Sequence, residues 1–253
     1  MKLALIQYAP EWENPHDSII KLNLMLENQI SDEDLLIFPE MTLTGFTMQS
    51  KKYAEEIDGL GMRFFINFAQ RYKKNVIAGI IEYDEGRIYN SSFHFDSNGI
   101  IMARYRKIHP FSLAKENENY TAGHEPLISH IDKTKIGLAV CYDLRFPELY
   151  RYYGKENADI MVTIANWPVP RIEHWKTLLK ARAIENLCYS VGVNRVGSDP
   201  KNKYNGCSVI YDPTGQELVL VENEEKIISV EIEVEKVNET REKFPFLNDL
   251  KLI

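Results

Sequence analysis

The chain has 253 residues, 44% of them hydrophobic and 11% aromatic, enough to bury a sizeable core without disulfide or metal staples. Its 37 acidic and 30 basic residues give a formal charge of −7 spread along the chain, which leaves no basic footprint for nucleic acid. No run approaches the roughly 18 apolar residues of a membrane span, and the opening MKLALIQYAPEWEN lacks the apolar stretch of a signal peptide.

In chain order, residues 3–7 read as a first strand. Asn14 and Pro15 then suit the N-cap and first position of a helix whose apolar residues run from Ile19 to Ile30, just before Ser31. An apolar run over 35–38 reads as a second strand, with Glu40 at its carboxyl end, and a helix is expected over 62–73. Strand patterns over 76–83, 88–95 and 100–104 are joined by turns at Glu85-Gly86 and Asn98-Gly99, so part of a sheet is antiparallel and the sheet is mixed. Lys107 follows in RYRKIHPF.

The strand over 136–140 ends on Cys141, and Pro147 and Glu148 suit the first turn of a helix over 147–153. A strand over 160–164, a helix over 172–187 and a strand over 189–194 come next. Asp212-Pro213-Thr214-Gly215 reads as a hairpin turn between strands at 208–211 and 217–221. The tail, 233–253, is charged and helix-compatible up to Phe244-Pro245-Phe246-Leu247, whose apolar surface is expected to dock on the same chain or on a partner subunit. Helices alternating with strands imply a layered α/β fold. With no repeat, low-complexity segment or long linker, residues 1–253 read as a single domain.

Three positions stand where chemistry is commonly mounted. Cys141 lies on a strand, sharp turn, helix arrangement, which lifts a nucleophile to the rim of a sheet with backbone N–H groups beside it. Glu40 lies at the carboxyl end of a strand, where open α/β sheets bind ligands. Lys107 would be held protonated if carboxylates flank it. Each also has a plain reading: Cys141 as a small buried hydrophobe, Glu40 as a solvated loop acid, Lys107 as one charge of a surface patch with Arg104 and Arg106. His109 offers a rival Cys–His pairing. The six histidines show no HExxH or paired spacing, so a metal is not expected, and neither a Walker sequence nor GxGxxG points to a nucleotide. No cofactor is called for. Three cysteines without CxxC spacing, Cys141, Cys188 and Cys207, suggest a reducing, cytoplasmic setting.

Taken together, FPEMTLTGF, YRKIHPF and GLAVCYDLRFPELYR resemble the three signature segments of the nitrilase, or carbon–nitrogen hydrolase, superfamily. Each segment places one member of that family's Glu, Lys, Cys triad, here Glu40, Lys107 and Cys141, and the separations of 67 and 34 residues fit its order. The run CYDLRFPE followed by ANWPVPRIEHWKTLLKARAIENLCYSVGVNRVG is similar to the omega-amidases, which hydrolyse the terminal amide of 2-oxoglutaramate and 2-oxosuccinamate.

The resemblance implies a four-layer αββα sandwich with mixed sheets, and a homodimer that extends the sandwich. It implies an amidase that takes a small omega-amide to carboxylate and ammonia through a cysteine thioester, with Cys141 as nucleophile, Glu40 as base, and Lys107 with the Tyr142 backbone N–H at the oxyanion. A second glutamate belongs in the loop after the lysine. Glu116 and Glu118 are both candidates, and counting back seven positions from Gly123 favours Glu116.

Arg145 is the expected clamp for a distal carboxylate, its plain alternative being a structural pair with Glu148. Trp167 is expected as a pocket wall and Tyr120 as a lining residue of the Glu116 loop. Asn166, His174, Arg182, Glu185, Asn186, Asn194 and Arg195 match polar positions of the omega-amidase run and read mainly as scaffold, and the helix over 172–187 as pocket or subunit interface. The rival activities are an N-carbamoyl-amine hydrolase, a deaminated-glutathione amidase or a true nitrilase, with a catalytically silent scaffold as the rival outside enzymes.

Overall fold

The structure is a computed structural model that describes residues 1–27 and 29–252. Its first half contains strands β1 (Lys2–Gln7), β2 (Leu35–Ile37), β3 (Asn75–Asp84), β4 (Arg87–Phe95) and β5 (Ile101–Arg106), with helices α1 (Pro15–Leu26), α2 (Ser50–Tyr53), α3 (Leu60–Tyr72) and α4 (Glu116–Asn119). The second half holds β6 (Ile128–Ile131), β7 (Thr134–Val140), β8 (Ile160–Ala165), β9 (Tyr189–Asn194), β10 (Val196–Ser198), β11 (Lys203–Tyr211), β12 (Glu217–Glu222) and β13 (Lys226–Glu231), with α5 (Pro147–Lys155), α6 (Ile172–Asn186) and α7 (Glu235–Lys243).

Two mixed sheets result. One runs β13-β1-β2-β3-β4-β5, and the other β10-β11-β9-β8-β7-β6 with β12 beside β11. Alternation along the strands sorts side chains between layers, because successive residues of a strand face opposite sides. On β1, Ala4 and Ile6 join Leu36, Val76 and Ala78 in a core shared with α1 and α3. Leu3 and Leu5 turn the other way and join Leu35, Ile37 and Ile77 against Leu138 and Val140 of the second sheet. Helices α5 and α6 cover that sheet from outside, seated by two glycines: a Cβ at Gly137 would meet the Tyr153 ring at 2.7 Å, and one at Gly192 would meet Leu179 at 2.3 Å. The order of layers is helix, sheet, sheet, helix, as the resemblance implied.

The Glu85-Gly86 turn joins β3 to β4 with both residues at positive φ (46° and 78°), the two-residue hairpin geometry that matches strand twist. Helix α1 begins on the Asn14 cap as expected but stops at Leu26, short of the expected reach to Ile30. Its buried row is Ser18, Leu22 and Leu26, spaced by four, while Ile20 and Leu24 face solvent, so the apolar run is not a stripe. Asn28, inside that expected reach, lies outside the described residues, as does Ile253.

Three strands carried too little apolar pattern to be expected: β6, β10 and β13. Strand β13 is an edge strand with only Ile228 buried, and it pairs antiparallel with β1. The tail docks on its own chain through α7, where Arg241 donates to Ala158 O (2.7 Å) and Lys236 to Asp212 (2.6 Å). Phe244 and Phe246 lean on each other near Ile184 and Leu187, yet stay 37% and 60% exposed.

Candidate active site

Strand ends converge on one spot. Glu40 follows β2, Lys107 follows β5 directly, Cys141 follows β7 and Asn166 follows β8. Phe38, between β2 and Glu40, packs edge-on against Phe65 and Phe68 of α3 and anchors that turn from behind. The turn lies so close to β3 that a Cβ at Gly79 would meet Met41 N at 2.5 Å and Glu40 Cα at 2.7 Å. Cys141 sits at φ +48°, a conformation non-glycine residues seldom adopt, at the head of a 3₁₀ turn, Cys141–Arg145, that leads into α5. Such strain persists only where the surroundings enforce it.

At the floor, Lys107, Glu40 and Glu116 are all buried. The Lys107 ammonium donates to Glu40 Oε1 (3.0 Å) and to Glu116 Oε2 and Oε1 (2.9 and 3.1 Å). Asn90 on β4 bridges the two acids, its Nδ2 donating to Glu40 Oε1 (2.7 Å) and Glu116 Oε1 (2.8 Å). The backbone N–H of Asn166 donates to Glu40 Oε2 (2.9 Å), its side-chain amide to Glu40 O (2.7 Å), and Phe111 N–H to Glu116 Oε2 (2.6 Å). Both carboxylates are therefore oriented from several directions at once.

Burial alone would discharge Lys107. Glu116 and Glu40 outweigh that penalty and hold the ammonium well above the usual lysine range. Burial pushes Glu116 upward against the pull of Lys107, with Glu40 adding to the rise. The Cys141 thiol is raised well above its ordinary value, first by burial and then by the Glu40 carboxylate, with Lys107 opposing. Burial and the neighbouring carboxylate thus favour the neutral thiol of Cys141.

Above this floor opens a cavity of about 250 Å³ lined by Cys141, Tyr142, Asn166 and Trp167, with Phe46 and Phe111 among its apolar walls. Arg145 lines it too, stacked over Trp167 (4.9 Å) and bonded to His174 (3.2 Å). No carboxylate partner of Arg145, Glu148 included, occurs among the described residues. Arg171 and Lys201 add two more cations to the lining. Lys201 rides the tip of the β10–β11 hairpin, where Asp199 accepts from the backbone N–H of Lys201 and Asn202 (2.7 Å each) and from the Tyr204 hydroxyl (2.5 Å). Among the described residues no group of three or more His, Cys, Asp or Glu side chains is placed to hold a metal ion.

Glu40, Lys107, Cys141 and Glu116 are brought together, and Tyr142, Arg145 and Trp167 line the same cavity. Glu118 lies on the exposed outer side of α4, near Lys115 (3.9 Å). Tyr120 departs from expectation. It is buried behind the Glu40 turn against Met41 and Ile81, and its hydroxyl is used on Thr47 O (2.6 Å), so it supports that turn instead of lining the cavity. His109 does not pair with the thiol; its ring donates to Asp143 (2.8 Å). From helix α6, Arg182 donates to Leu144 O (2.7 Å) behind the Cys141 turn. Asn90 and Lys201 had no motif to announce them, although a polar Asn inside the strand-like RIYNSSFHF is itself a signal.

The family model of the carbon-nitrogen hydrolases matches residues 2–242. The chain belongs to that family and is a hydrolase that acts on the carbon–nitrogen bond of amides. It is 32% identical over 251 residues to a 2-oxoglutaramate amidase of Bacillus subtilis, covering 98% of this chain and 97% of that one. A 2-oxoglutaramate amidase of Paenarthrobacter nicotinovorans is 35% identical, covering 88% of this chain and 80% of that one. In structure the chain is similar to a CN-hydrolase superfamily protein of Xanthomonas campestris that carries an arsenic adduct in its active site, with TM-score 0.95, 32% identity, and 100% and 98% coverage.

Proposed function

We propose that this enzyme is an omega-amidase that hydrolyses the terminal carboxamide of a small, carboxylate-bearing omega-amide of the 2-oxoglutaramate or 2-oxosuccinamate type to carboxylate and ammonia. The observation that carries the reading is the ammonium of Lys107 clasped between Glu40 and Glu116 beside a cysteine on a strained turn. Relatives named for 2-oxoglutaramate support the substrate class.

In this reading Glu40 takes the Cys141 proton as sulfur attacks the amide carbon. A preformed thiolate is not required, which suits a thiol held in its neutral form. Lys107 and the Tyr142 backbone N–H receive the oxyanion, where one preorganised donor is worth about 2.7–4 kcal/mol. Glu40 then returns the proton to the departing nitrogen as the C–N bond breaks and a thioester remains. Water attacks that thioester, its proton passing to Glu40 and on to the sulfur, and the acid leaves. Glu116 holds Lys107 and orients the water. The cycle balances without a cofactor.

Arg145 is assigned to the distal carboxylate, with Trp167 as the wall behind it. A homodimer is also proposed, supported by the exposed Phe244, Phe246 and Ile184. A cytoplasmic setting is in keeping with three free cysteines. The decisive assay is ammonia release from 2-oxoglutaramate by the wild type and by Cys141→Ala. Turnover in the first and none in a folded second is expected, and appreciable turnover by the variant would sink the scheme.

A further inference from the structure

One buried carboxylate has no part in that chemistry. Asp143 stands two residues beyond Cys141 and is fully buried. Its Oδ2 accepts from the backbone N–H of Val140 (3.0 Å), closing the turn across Cys141, and from the Tyr105 hydroxyl (2.8 Å). Its Oδ1 accepts from the backbone N–H of His109 (2.9 Å) and from His109 Nδ1 (2.8 Å). Tyr105 and His109 stand two residues before and two after Lys107. One carboxylate therefore braces the segment on both sides of Lys107 while it closes the turn that presents Cys141.

The imidazole is held on its other side too. Its ring stacks on Phe146 with centroids 3.8 Å apart and planes 8° from parallel, and Phe146 lies on the same turn as Cys141. No lysine or arginine is paired with Asp143 among the described residues, so its charge is met by hydrogen bonds from four donor groups, which a carboxylate can accept in full. A buried carboxylate is costly unless such partners hold it. A neutral residue that only filled the space would avoid that cost but could not accept on both oxygens.

We propose that Asp143 and His109 form a positioning pair that fixes the distance and angle between the Cys141 sulfur and the Lys107 ammonium, so that losing either slows the chemical step without weakening substrate binding. The proposal rests on the reading of Cys141 and Lys107 as nucleophile and oxyanion donor. Misplacing a reacting group by about 1 Å is enough to cost roughly 100-fold in rate.

The test uses two variants in the full-length enzyme. His109→Gly removes the ring and leaves a slot between Phe146 and Asp143 that free imidazole fits. A fall in kcat of about 100-fold with KM nearly unchanged is expected, and added imidazole is expected to restore kcat, while sodium chloride at equal ionic strength does not and imidazole leaves the wild type unaffected. Asp143→Asn keeps the shape but turns an amide donor toward one pair of donors, so kcat falls with no rescue by imidazole. Thermal melts of both variants establish that they fold. If His109→Gly keeps wild-type kcat, or loses it with no response to imidazole while folded, the pair does not position the site. Cys141→Ala run alongside separates this outcome from failure of the parent reading, which only an active Cys141→Ala would bring down.

Discussion

The floor and the rim of the active-site cavity are built on different terms. On the floor, Glu40, Lys107, Glu116 and Asn90 are buried and fastened to one another by five bonds between 2.7 and 3.1 Å. At the rim, Arg145 and Lys201 are partly or fully exposed and have no carboxylate partner among the described residues. A group held from several sides cannot adapt, which suits chemistry common to a family. A cation with spare valence can meet whatever anion arrives, which suits the part of the site that chooses a substrate.

The largest effect expected from breaking this contrast is at Lys107. Lys107→Met removes the proposed oxyanion donor, worth about 100- to 1000-fold in kcat, and leaves two buried carboxylates without their cation, costing about 3–5 kcal/mol of stability. Steady-state kinetics and denaturant melts read the two losses together. A variant that lost activity at full stability would show that the floor is less tightly coupled than its bonds suggest.

Asn90→Ala comes next, because it removes one amide from both glutamates while leaving the lysine. A fall in kcat of about 10- to 100-fold is expected, with the pH–rate profile displaced as the acids lose a donor. At the rim the effect should appear in KM instead. For Arg145→Met, KM for a carboxylate-bearing amide should rise about 10- to 100-fold, the value of one charge-assisted contact of roughly 1.5–3 kcal/mol. A neutral amide of similar size should show no change, and equal losses for both would remove Arg145 from substrate recognition.

The smallest effect on catalysis is expected at a buried group that belongs to neither region. His94 lies between the sheets, its Nδ1 2.5 Å from the Ser129 hydroxyl, and burial lowers its pKa from 6.5 to about 4. The unfolded chain therefore binds a proton near pH 6.5 that the folded chain accepts only near 4, so stability falls as pH drops through that window, by up to about 3 kcal/mol. His94→Gln should unfold at lower pH than the wild type, with activity at pH 7 retained. An unchanged acid transition would assign acid lability to other groups.

Much of the scaffold was legible in the sequence because strands such as β1 and β3, buried on both faces, read as continuous apolar runs bounded by polar and turn residues. Glu40, Lys107 and Cys141 were legible as a set only through three motif segments; singly, each had a plainer explanation. Asn90 was not, because a polar residue in a strand-like run marks a buried contact without naming its partner, here Glu40, 50 residues away. The β10–β11 hairpin that carries Lys201 to the cavity offered three residues on one strand, too few for a pattern. Tyr120 was misjudged for the related reason that nearness in the chain to Glu116 says nothing about which side of the loop a ring faces. Burial leaves local traces in the sequence, whereas the convergence of side chains from distant strand ends does not.

The pairing of β13 with β1 bears on how the chain is made. The N-terminal amine donates to Ile232 O across 231 positions of sequence, and β1 gains its outer neighbour only when residues 226–231 exist. Until synthesis passes that point, β1 emerges and waits with one edge bare, a template for wrong pairing. Closing so distant a contact is slow, since the entropy of the intervening loop is lost before the contact compensates. A chain interrupted before Lys226 carries every active-site residue named above, yet its first sheet is left open along the whole of β1.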